Sequence, residues 1–331
     1  MQKTWLIYAL GGGWGHLTRA LSLGRIAAHH RKIRIITNSP YAQHMDSQGC
    51  VVHWIPDYTG FSATCLQVRE ILLNTRYDGL IIDTFPRGLG GELADILPQL
   101  YPIPRILIHR DINPQYITAK GLQSFVKKNF DAVIVPGEGT DLGLCDLPGV
   151  HHTAPWLIRN AEELPEKNAT RSHILRVDKS VKTILVCAAG QASESSIFTQ
   201  IALELHQKFP ECAVRILAPD CPVDVPQALW MSHHPGIECL AAADVVIGGA
   251  GYNTVYECAA VGVPLVALAF HRLYDRQEKR ASKGYWVKNI PEAVATVSIL
   301  LDQVPTQKTP VASTYVNGAV EAMHQIMSYK L

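Results

Sequence analysis

Short apolar runs, each followed by a glycine or polar loop and then by a stretch of helical periodicity, recur along most of this 331-residue chain. The apolar runs are continuous and not alternating, as expected of strands that are covered on both faces. This alternation predicts parallel sheets with helices on both sides. The predicted strands are 4–10, 33–37, 51–55, 79–83, 105–109, 131–135, 182–187, 213–218, 244–248 and 264–268, and the predicted helices are 16–30, 89–100, 194–209, 252–261 and 314–329.

The alternation stops after Val135 and begins again at Lys182. The stretch between them has few strand-like runs and contains Pro148, Pro155 and Pro165, so we place a linker near 152–165. The length also fits two domains of about 150 residues each. The predicted fold is therefore α/β, with two Rossmann-like doubly wound parallel-sheet domains facing a cleft. Ligands of such sheets bind beyond the carboxyl ends of the strands.

Composition narrows the classes of function and location. The chain has 30 Lys and Arg against 29 Asp and Glu, a formal net charge of +1, which weighs against a nucleic-acid partner. No apolar run approaches the ~20 residues of a bilayer-spanning helix, and the opening residues lack a signal-peptide pattern. We therefore expect a cytoplasmic protein with at most peripheral contact with the inner face of a membrane. The eight scattered cysteines predict buried free thiols, and the histidine pairs lack neighbouring ligands, so no metal site is predicted.

A first glycine-rich loop, Gly11-Gly12-Gly13-Trp14-Gly15-His16, lies between the first strand and the first helix. Glycines there let backbone N–H groups approach a ligand, and a helix N-terminus favours an anion. A dinucleotide site would instead need G-x-G-x-x-G and an acidic residue at the end of the second strand. That strand ends in Thr37-Asn38-Ser39, so NAD and FAD are disfavoured. Gly13 and Gly15 are the predicted phosphate or acceptor contacts.

His16 lies in the first turn of the predicted helix, where the positive end of the macrodipole disfavours imidazolium. A neutral imidazole beside a ligand loop suits general-base chemistry near pH 7, although a capping role fits the same segment. Asp83 ends a neighbouring strand, and either orients His16 or binds an acceptor hydroxyl. His109 and Asp111 follow the next strand and are the predicted acceptor-side residues.

A second glycine-rich loop, Gly248-Gly249-Ala250-Gly251, follows a buried strand and opens a helix near Tyr252. Such a loop can bind a diphosphate through N–H groups, with help from the Thr254 hydroxyl. Glu257 lies on the same helix face as Asn253, one turn deeper, where a carboxylate can accept both hydroxyls of a ribose. The loop has no Gly-Lys-Ser/Thr, which excludes a nucleotide-hydrolysing P-loop. After the next strand, Asp275 and Gln277 can hydrogen-bond sugar hydroxyls.

These segments carry a resemblance. Three consecutive motifs resemble the donor-binding signature of the family-28-like GT-B glycosyltransferases, the family of the bacterial peptidoglycan lipid-linked N-acetylglucosaminyltransferase. They are Gly-Ala-Gly-x-Asn-Thr-x-x-Glu from Gly249, then Ala-x-Gly-Val-Pro, then Asp-Arg-Gln-Glu. The segment Gly13-x-Gly-His-Leu-Thr-Arg resembles that family's N-terminal loop. Ala-Ala-Gly-Gln-Ala around Gly190 stands where the family has Gly-Gly-Ser-Gln-Gly, and the segment from Asp83 to Leu93 departs from the peptidoglycan enzyme.

The resemblance implies an acceptor-side domain over 1–157, a nucleotide-sugar-binding domain over 158–313, and a C-terminal helix over 314–331 that packs back on the first domain. It implies that Glu257 binds the ribose, that Asp275 and Gln277 contact the donor sugar, and that His16 is the catalytic base. The implied diphosphate contacts are Gly190, Gly249, Gly251, Asn253 and Thr254.

The leading hypothesis is inverting, metal-independent transfer of a hexose from a UDP-sugar co-substrate to an acceptor hydroxyl, with no further cofactor. The acceptor and the oligomeric state stay open, and a lipid-linked acceptor fits the resemblance. Three alternatives use the same scaffold: a UDP-sugar hydrolase, a UDP-sugar epimerase and a non-catalytic nucleotide-sugar-binding protein. The hydrolase finds support in His16-x-x-Arg19, which is similar to such enzymes.

Overall fold

The computed structural model describes residues 2–56, 60–139, 141–188, 190, 192–273, 275–303 and 314–329. The chain divides into two compact units. The first consists of Met1–Ile158, Leu273–Asp275 and Asn317–Leu331, and the second of Arg159–Arg272 and Arg276–Val316. Each unit is built around one parallel sheet, so the predicted pair of Rossmann-like sheets is confirmed.

The first sheet has seven parallel strands in the order β3-β2-β1-β4-β5-β6-β7. The chain runs outward in one direction from β1 and then returns to its other side at β4. The loops after β1 and β4 therefore lie side by side, at the switch point where such sheets bind ligands. The strands are β1 (Thr4–Tyr8), β2 (Lys32–Thr37), β3 (Val51–Trp54), β4 (Gly79–Asp83), β5 (Arg105–Ile108), β6 (Ala132–Pro136) and β7 (Val150–Thr153).

The helices of the first unit cover a sheet whose central strands are almost wholly buried. Leu6, Ile82 and Leu107 belong to one apolar core on one face of it, together with residues of the flanking helices. Burial of this apolar surface stabilises the unit by roughly 25 cal/mol per Å². Among the described residues, four α-helices precede the second unit in the chain: α1 (Trp14–Ala27), α2 (Phe61–Asn74), α3 (Pro114–Ala119) and α4 (Leu122–Asn129).

One helix prediction in this unit is wrong. The helix expected over 89–100 is replaced by turns and a short 3₁₀ helix, Leu97–Leu100. Gly88 and Gly91 have φ angles of 86° and 89°, which end any helical path. The Glu92 carboxylate folds back to accept hydrogen bonds from Gly90 N (2.8 Å) and the buried Tyr8 hydroxyl (2.5 Å). These contacts hold the glycine segment against the sheet as a loop.

The second sheet has six parallel strands in the order β10-β9-β8-β11-β12-β13, and its switch point lies between β8 and β11. The strands are β8 (Thr183–Cys187), β9 (Ala213–Leu217), β10 (Trp230–Met231), β11 (Val245–Gly249), β12 (Leu265–Leu268) and β13 (Tyr285–Val287). The helices of this unit are α5 (Lys167–Thr170), α6 (Ala192–Lys208), α7 (Gly236–Ala242), α8 (Tyr252–Val261), α9 (Gln277–Ala281) and α10 (Ile290–Gln303).

A buried ion pair lies at the amino-terminal ends of β8 and β11, opposite the switch-point loops. Asp244, at the start of β11, accepts hydrogen bonds from Arg171 Nη2 (2.5 Å), Thr183 N (2.8 Å) and Lys167 Nζ (3.1 Å). Burial raises the pKa of Asp244, but the Thr183 amide and the two cations lower it more, so the net pKa is low. The carboxylate therefore stabilises the pairing of β8 with β11 at the amino-terminal ends of both strands.

The last helix, α11 (Gly318–Ser328), belongs to the first unit and packs against α1. Its N-cap residue, Asn317, also binds both backbone groups of Leu157, at 3.0 Å to the N–H and 2.8 Å to the carbonyl. At its other end Tyr329 hydrogen-bonds His151 of β7 (2.7 Å). Among the residues described, no helix is long and apolar enough to cross a membrane.

Candidate functional site

The loop between β1 and α1 is held in place by hydrogen bonds to the residues that follow β2. Asn38 Oδ1 accepts from Gly11 N (2.8 Å), and the Ser39 hydroxyl donates to the Gly13 carbonyl (3.1 Å). Gly12 and Gly13 have open space where a side chain would begin. Gly13 is the N-cap of α1 and provides no side-chain cap, and the first turn has no acidic residue. The start of α1 therefore presents backbone N–H groups that no side chain caps, as helix starts that bind anions do.

His16, in the first turn of α1, meets Asp83 at the end of β4. Its Nδ1 lies 2.6 Å from Asp83 Oδ2, and its ring stacks on Phe85 with centroids 5.5 Å apart. Gly11 approaches the other edge of the ring so closely that a Cβ there would collide with Cδ2 and Nε2 of His16. The side chain is 18% exposed, so a substrate can reach a ring that its neighbours hold in place.

Asp83 is 2% exposed and is also bound by Arg19. Arg19 Nε donates to Oδ1 at 3.0 Å and Nη2 to Oδ2 at 2.6 Å, while the Thr84 hydroxyl lies 3.3 Å from Oδ2. Burial raises the pKa of Asp83, but Arg19 and then His16 lower it more, and the net pKa is far below its usual range. Asp83 is thus an ionised acceptor, and His16 donates its Nδ1 proton to it.

The pKa of His16 is lowered from its usual value. Burial is the largest cause, Asp83 opposes it, and the charges of Arg19 and Arg110 add to it. The imidazole is therefore neutral near pH 7, with its proton on Nδ1 and its lone pair on Nε2. A neutral, oriented imidazole at the mouth of a ligand loop can accept a proton from a hydroxyl.

His109 and Asp111, at the carboxyl end of β5, are both buried. Burial, with Arg110 and His152 contributing, lowers the pKa of His109 to about 3. Neither ring nitrogen of His109 has a hydrogen-bond partner among the described residues. The structure therefore does not join His109 to His16 or Asp83, and the acceptor-side role of His109 and Asp111 stays a prediction.

The helix that follows the loop between β11 and α8 also begins without a side-chain cap. Gly251, the N-cap of α8, makes no side-chain hydrogen bond, and the first turn has no acidic residue. No atom lies within 4 Å of the place where a Gly251 side chain would begin. Asn253 and Thr254, in the first turn, are half-buried, and Asn253 Oδ1 is inaccessible to solvent with no partner in the described residues. Bare N–H groups at the positive end of a helix favour an anion.

Glu257 lies one turn further along α8. It is 7% exposed, and burial alone raises its pKa to about 8. Within the described part of the chain it has no hydrogen bond or ion pair, unlike the other buried carboxylates of this unit, Asp244 and Glu194. An unpaired buried carboxyl is costly, and such groups are normally satisfied by a protein group, water or ligand.

Gly190 follows β8, on the other side of the switch point. Glu194 Oε2 fills the space where a Gly190 side chain would begin, and Oε1 of the same carboxylate binds Arg272 Nη2 at 2.5 Å. The N-terminal end of α6 thus already carries an internal anion. This arrangement favours the α8 loop over the Gly190 loop as the place for a diphosphate.

Asp275 and Gln277 do not lie in the same unit. Asp275 is part of the first, where it forms a β-bridge with Ile112 and its carboxylate lies 3.8 Å from Arg110 Nη2. Gln277 opens α9 in the second, where its Oε1 accepts from Phe270 N at 3.0 Å. Gln277 therefore braces the loop after β12, and a sugar contact for either residue stays a prediction.

The predicted site does not include Arg19, Phe85 or Arg110. Arg19 has a sequence signal, because a residue three positions after His16 lies on the same helix face. Phe85 and Arg110 have none, since their proximity to His16 depends on which strands are neighbours. Among the described residues no group of His, Cys, Asp and Glu could hold a metal ion.

No protein-family model matches the sequence, and no curated protein matches it. Solved structures do match along nearly the whole chain. The glycosyltransferase of kitacinnamycin has a TM-score of 0.63 at 14% identity, with 99% of each chain covered. A spinosyn rhamnosyltransferase complexed with thymidine diphosphate has a TM-score of 0.58 at 12% identity, covering 98% of this chain and 96% of that one.

The UDP-GlcNAc 2-epimerase of Methanocaldococcus jannaschii, in complex with UDP-GlcNAc and UDP, has a TM-score of 0.61 at 11% identity, covering 98% of this chain and 99% of that one. At identities this low, the structural likeness shows the fold alone, and that fold is GT-B-like. The narrower resemblance to family 28 stays a prediction.

Proposed function

We propose that this protein is a glycosyltransferase that moves a hexose from a UDP-sugar to an acceptor hydroxyl with inversion at the anomeric carbon. The observation that carries the proposal is Glu257: a buried carboxyl group that has no hydrogen bond or ion pair among the described residues, one turn below an uncapped helix N-terminus. A ribose offers two hydroxyls to that carboxyl group, and the diphosphate attached to it needs N–H groups such as those of α8.

In the proposed reaction the acceptor hydroxyl gives its proton to Nε2 of His16 as its oxygen bonds to the anomeric carbon. The bond between that carbon and the diphosphate oxygen breaks, and the nucleoside diphosphate leaves with the bonding electrons. The N–H groups at the start of α8, near Asn253 and Thr254, stabilise the added negative charge. Asp83 keeps the His16 ring in the tautomer that has a free Nε2.

The structural likeness to glycosyltransferases supports the choice of reaction, and the bound thymidine diphosphate and UDP of two similar structures support a pyrimidine diphosphate as the leaving group. A UDP-sugar epimerase is a second candidate, because one similar structure is a UDP-GlcNAc 2-epimerase. Interconversion of UDP-sugars without an acceptor would identify an epimerase, and UDP release at an acceptor-independent rate would identify a hydrolase.

The decisive experiment is nucleotide binding by the full chain, measured by calorimetry with UDP, TDP, ADP, GDP and NAD. We expect UDP to bind and Glu257→Gln to weaken that binding about tenfold or more, because an amide offers one acceptor oxygen to the two ribose hydroxyls where the carboxyl group offers two. Glu204→Gln, on α6 in the same unit, is the matched control and should bind UDP like the wild type. His16→Ala should keep UDP affinity and lower transfer at least about a hundredfold.

Two results contradict the proposal. Equal UDP affinity in the wild type and Glu257→Gln removes the ribose role of Glu257. Tighter binding of NAD or a purine nucleotide than of UDP or TDP removes the pyrimidine-diphosphate assignment itself.

A further inference from the structure

Arg19 is the largest charged side chain that is completely buried in the first unit, and it lies against Asp83. Its Nε and Nη2 bind the two oxygens of that carboxylate, at 3.0 Å to Oδ1 and 2.6 Å to Oδ2. Nη2 also lies 3.4 Å from the Thr84 hydroxyl. Two parallel N–H···O bonds from a planar guanidinium fix both the position and the orientation of a carboxylate.

The same carboxylate is the partner of His16. Oδ2 of Asp83 is shared by Nδ1 of His16 and Nη2 of Arg19, each at 2.6 Å. His16 and Arg19 are three residues apart on α1, so both reach β4 from one face of the helix. A bare carboxylate at this distance would hold the imidazole and also attract a second proton to it. A carboxylate that is already paired with a guanidinium still orients the imidazole, but it attracts the second proton much less.

We propose that Arg19 is a positioning residue that lets Asp83 orient His16 without protonating it. The inference rests on the proposed function, in which His16 accepts a proton from the acceptor hydroxyl. Arg19 itself touches no reacting atom in this scheme. It acts through the Asp83 carboxylate that it binds and through its own charge, with Nη2 lying 3.5 Å from His16 Nδ1, and so sets how readily the His16–Asp83 pair binds an additional proton.

The charges that face His16 support this inference. Among the described residues, the charges with the largest effects on His16 are Asp83 on β4, Arg19 on α1 and Arg110 after β5. Phe85 covers one face of the ring and contributes no charge. Burial is the largest cause of the lowered pKa of His16, and the charges of Arg19 and Arg110 add to it, whereas the contact with Asp83 alone raises it. His16 therefore stays a base in mildly acidic solution, where an unshielded histidine–carboxylate pair would be protonated.

The test is the titration of the His16 ring by NMR in the full chain, with the resonance assigned by its loss in His16→Gln. In the wild type we expect a pKa below the usual value of about 6.5. Arg19→Gln removes the cation and should raise that pKa by about one unit or more. Arg19→Lys restores a charge without the paired geometry and should recover part of the shift. If Arg19→Gln does not fold, the wild-type value and Arg19→Lys decide the question.

Arg171→Gln is the matched control. Arg171 is also a buried arginine bound to a buried aspartate, but it lies in the second unit. A purely structural role for Arg19 predicts that both variants lose stability and that neither changes the His16 titration. A His16 pKa at or above about 6.5 in the wild type, or a shift smaller than about half a unit in Arg19→Gln, overturns the proposal.

This experiment separates the inference from the function on which it rests. The titration needs no nucleotide, sugar or acceptor, so it reads the Arg19 effect even if transfer is never found. Conversely, a chain that binds UDP and transfers sugar with an unshifted His16 keeps the proposed function and refutes the role of Arg19. Where transfer is measured, the acidic limb of its rate against pH should move with the His16 pKa in each variant.

Discussion

At the scale of single residues, the first unit places a neutral histidine where a glycine loop gives it room. Gly11 has a φ of 155° and passes so close to the imidazole that no other residue fits there. The glycine therefore has two roles, a backbone conformation that side chains disfavour and an approach to His16 that a Cβ would block.

The first prediction concerns this contact. A Cβ in Gly11→Ala would push the His16 ring off Asp83, so we expect transfer to fall at least about a hundredfold, as for loss of the base. UDP affinity should not change, because the proposed nucleotide site lies in the other unit. The measurements are UDP release with acceptor present and UDP binding by calorimetry. Gly12→Ala, which adds a methyl group in open space, is the control and should retain transfer. Equal rates in the two variants would show that the ring does not need its present position.

At the scale of the elements, α11 is held to the first unit by its N-cap residue and its first residue. Asn317 binds both backbone groups of Leu157, and Gly318 N donates to the Pro155 carbonyl at 3.0 Å. A Cβ on Gly318 would overlap the Ala154 carbonyl, so only glycine permits this close approach. The start of α11 is therefore a stability determinant.

We predict that Gly318→Ala lowers the free energy of unfolding by about 2 kcal/mol or more, because the start of the helix must move away from 154–157. Thermal unfolding followed by circular dichroism gives the size of the loss, and limited proteolysis shows whether α11 is released first. Gly236→Ala, at the start of α7, is the control, since its Cβ would make an ordinary contact with Leu217. A Gly318→Ala chain as stable as wild type would mean that the segment 154–157 yields at little cost.

The elements also show where prediction from the sequence succeeds. Ten apolar runs become strands, and the central ones, such as β4 and β6, are largely apolar because they are covered on both faces. β7, β10 and β13 are not among the predicted strands, because they are short, lie toward the sheet edges and carry half-buried or exposed residues such as Trp230 and Trp286. The helix predicted over 89–100 fails because Glu92 hydrogen-bonds to a loop amide and to Tyr8, a contact with no local signal.

Some features of the candidate site can likewise be predicted from the sequence, and others cannot. Glycines followed by a helix predict the uncapped starts of α1 and α8, and the spacing from Asn253 to Glu257 predicts that both residues lie on one face of α8. The contact between His16 and Asp83 depends on β1 and β4 being neighbours, which is a property of the strand order. The carboxylate that fills the Gly190 loop is equally invisible in the sequence, because it requires Glu194 to fold back.

At the scale of the whole molecule, the buried ionisable groups of the first unit make its stability depend on pH. His109 is inaccessible to solvent, and its pKa is lowered to about 3, first by burial and then by Arg110 and His152. In the unfolded chain a histidine titrates near 6.5. Below that pH the unfolded state binds a proton at His109, whereas the folded state does not bind it until the pH falls to about 3. The stability present at neutral pH is therefore lost as the pH falls.

The last prediction follows from this difference. Between pH 7 and pH 4.5, His109 should account for a loss of about 2 to 3 kcal/mol in the free energy of unfolding. His109→Leu keeps an apolar side chain in the same buried place and removes the titration, so its stability should fall less over this interval. Asp83 and Glu257 titrate alike in both chains, and the difference between the chains therefore reports His109 alone. His206→Gln, which changes an exposed histidine of α6, is the control and should follow the wild type.

Tryptophan fluorescence during urea unfolding suits this measurement, because Trp5, Trp14, Trp54 and Trp156 lie in the first unit and only Trp230 and Trp286 in the second. If the two units unfold separately, the first-unit transition carries the His109 effect and the second-unit transition does not. Parallel pH dependence in wild type and His109→Leu would show that the folded first unit accepts a proton at His109 near the ordinary pKa. In that case the ring would have to gain solvent or a hydrogen-bond partner in solution.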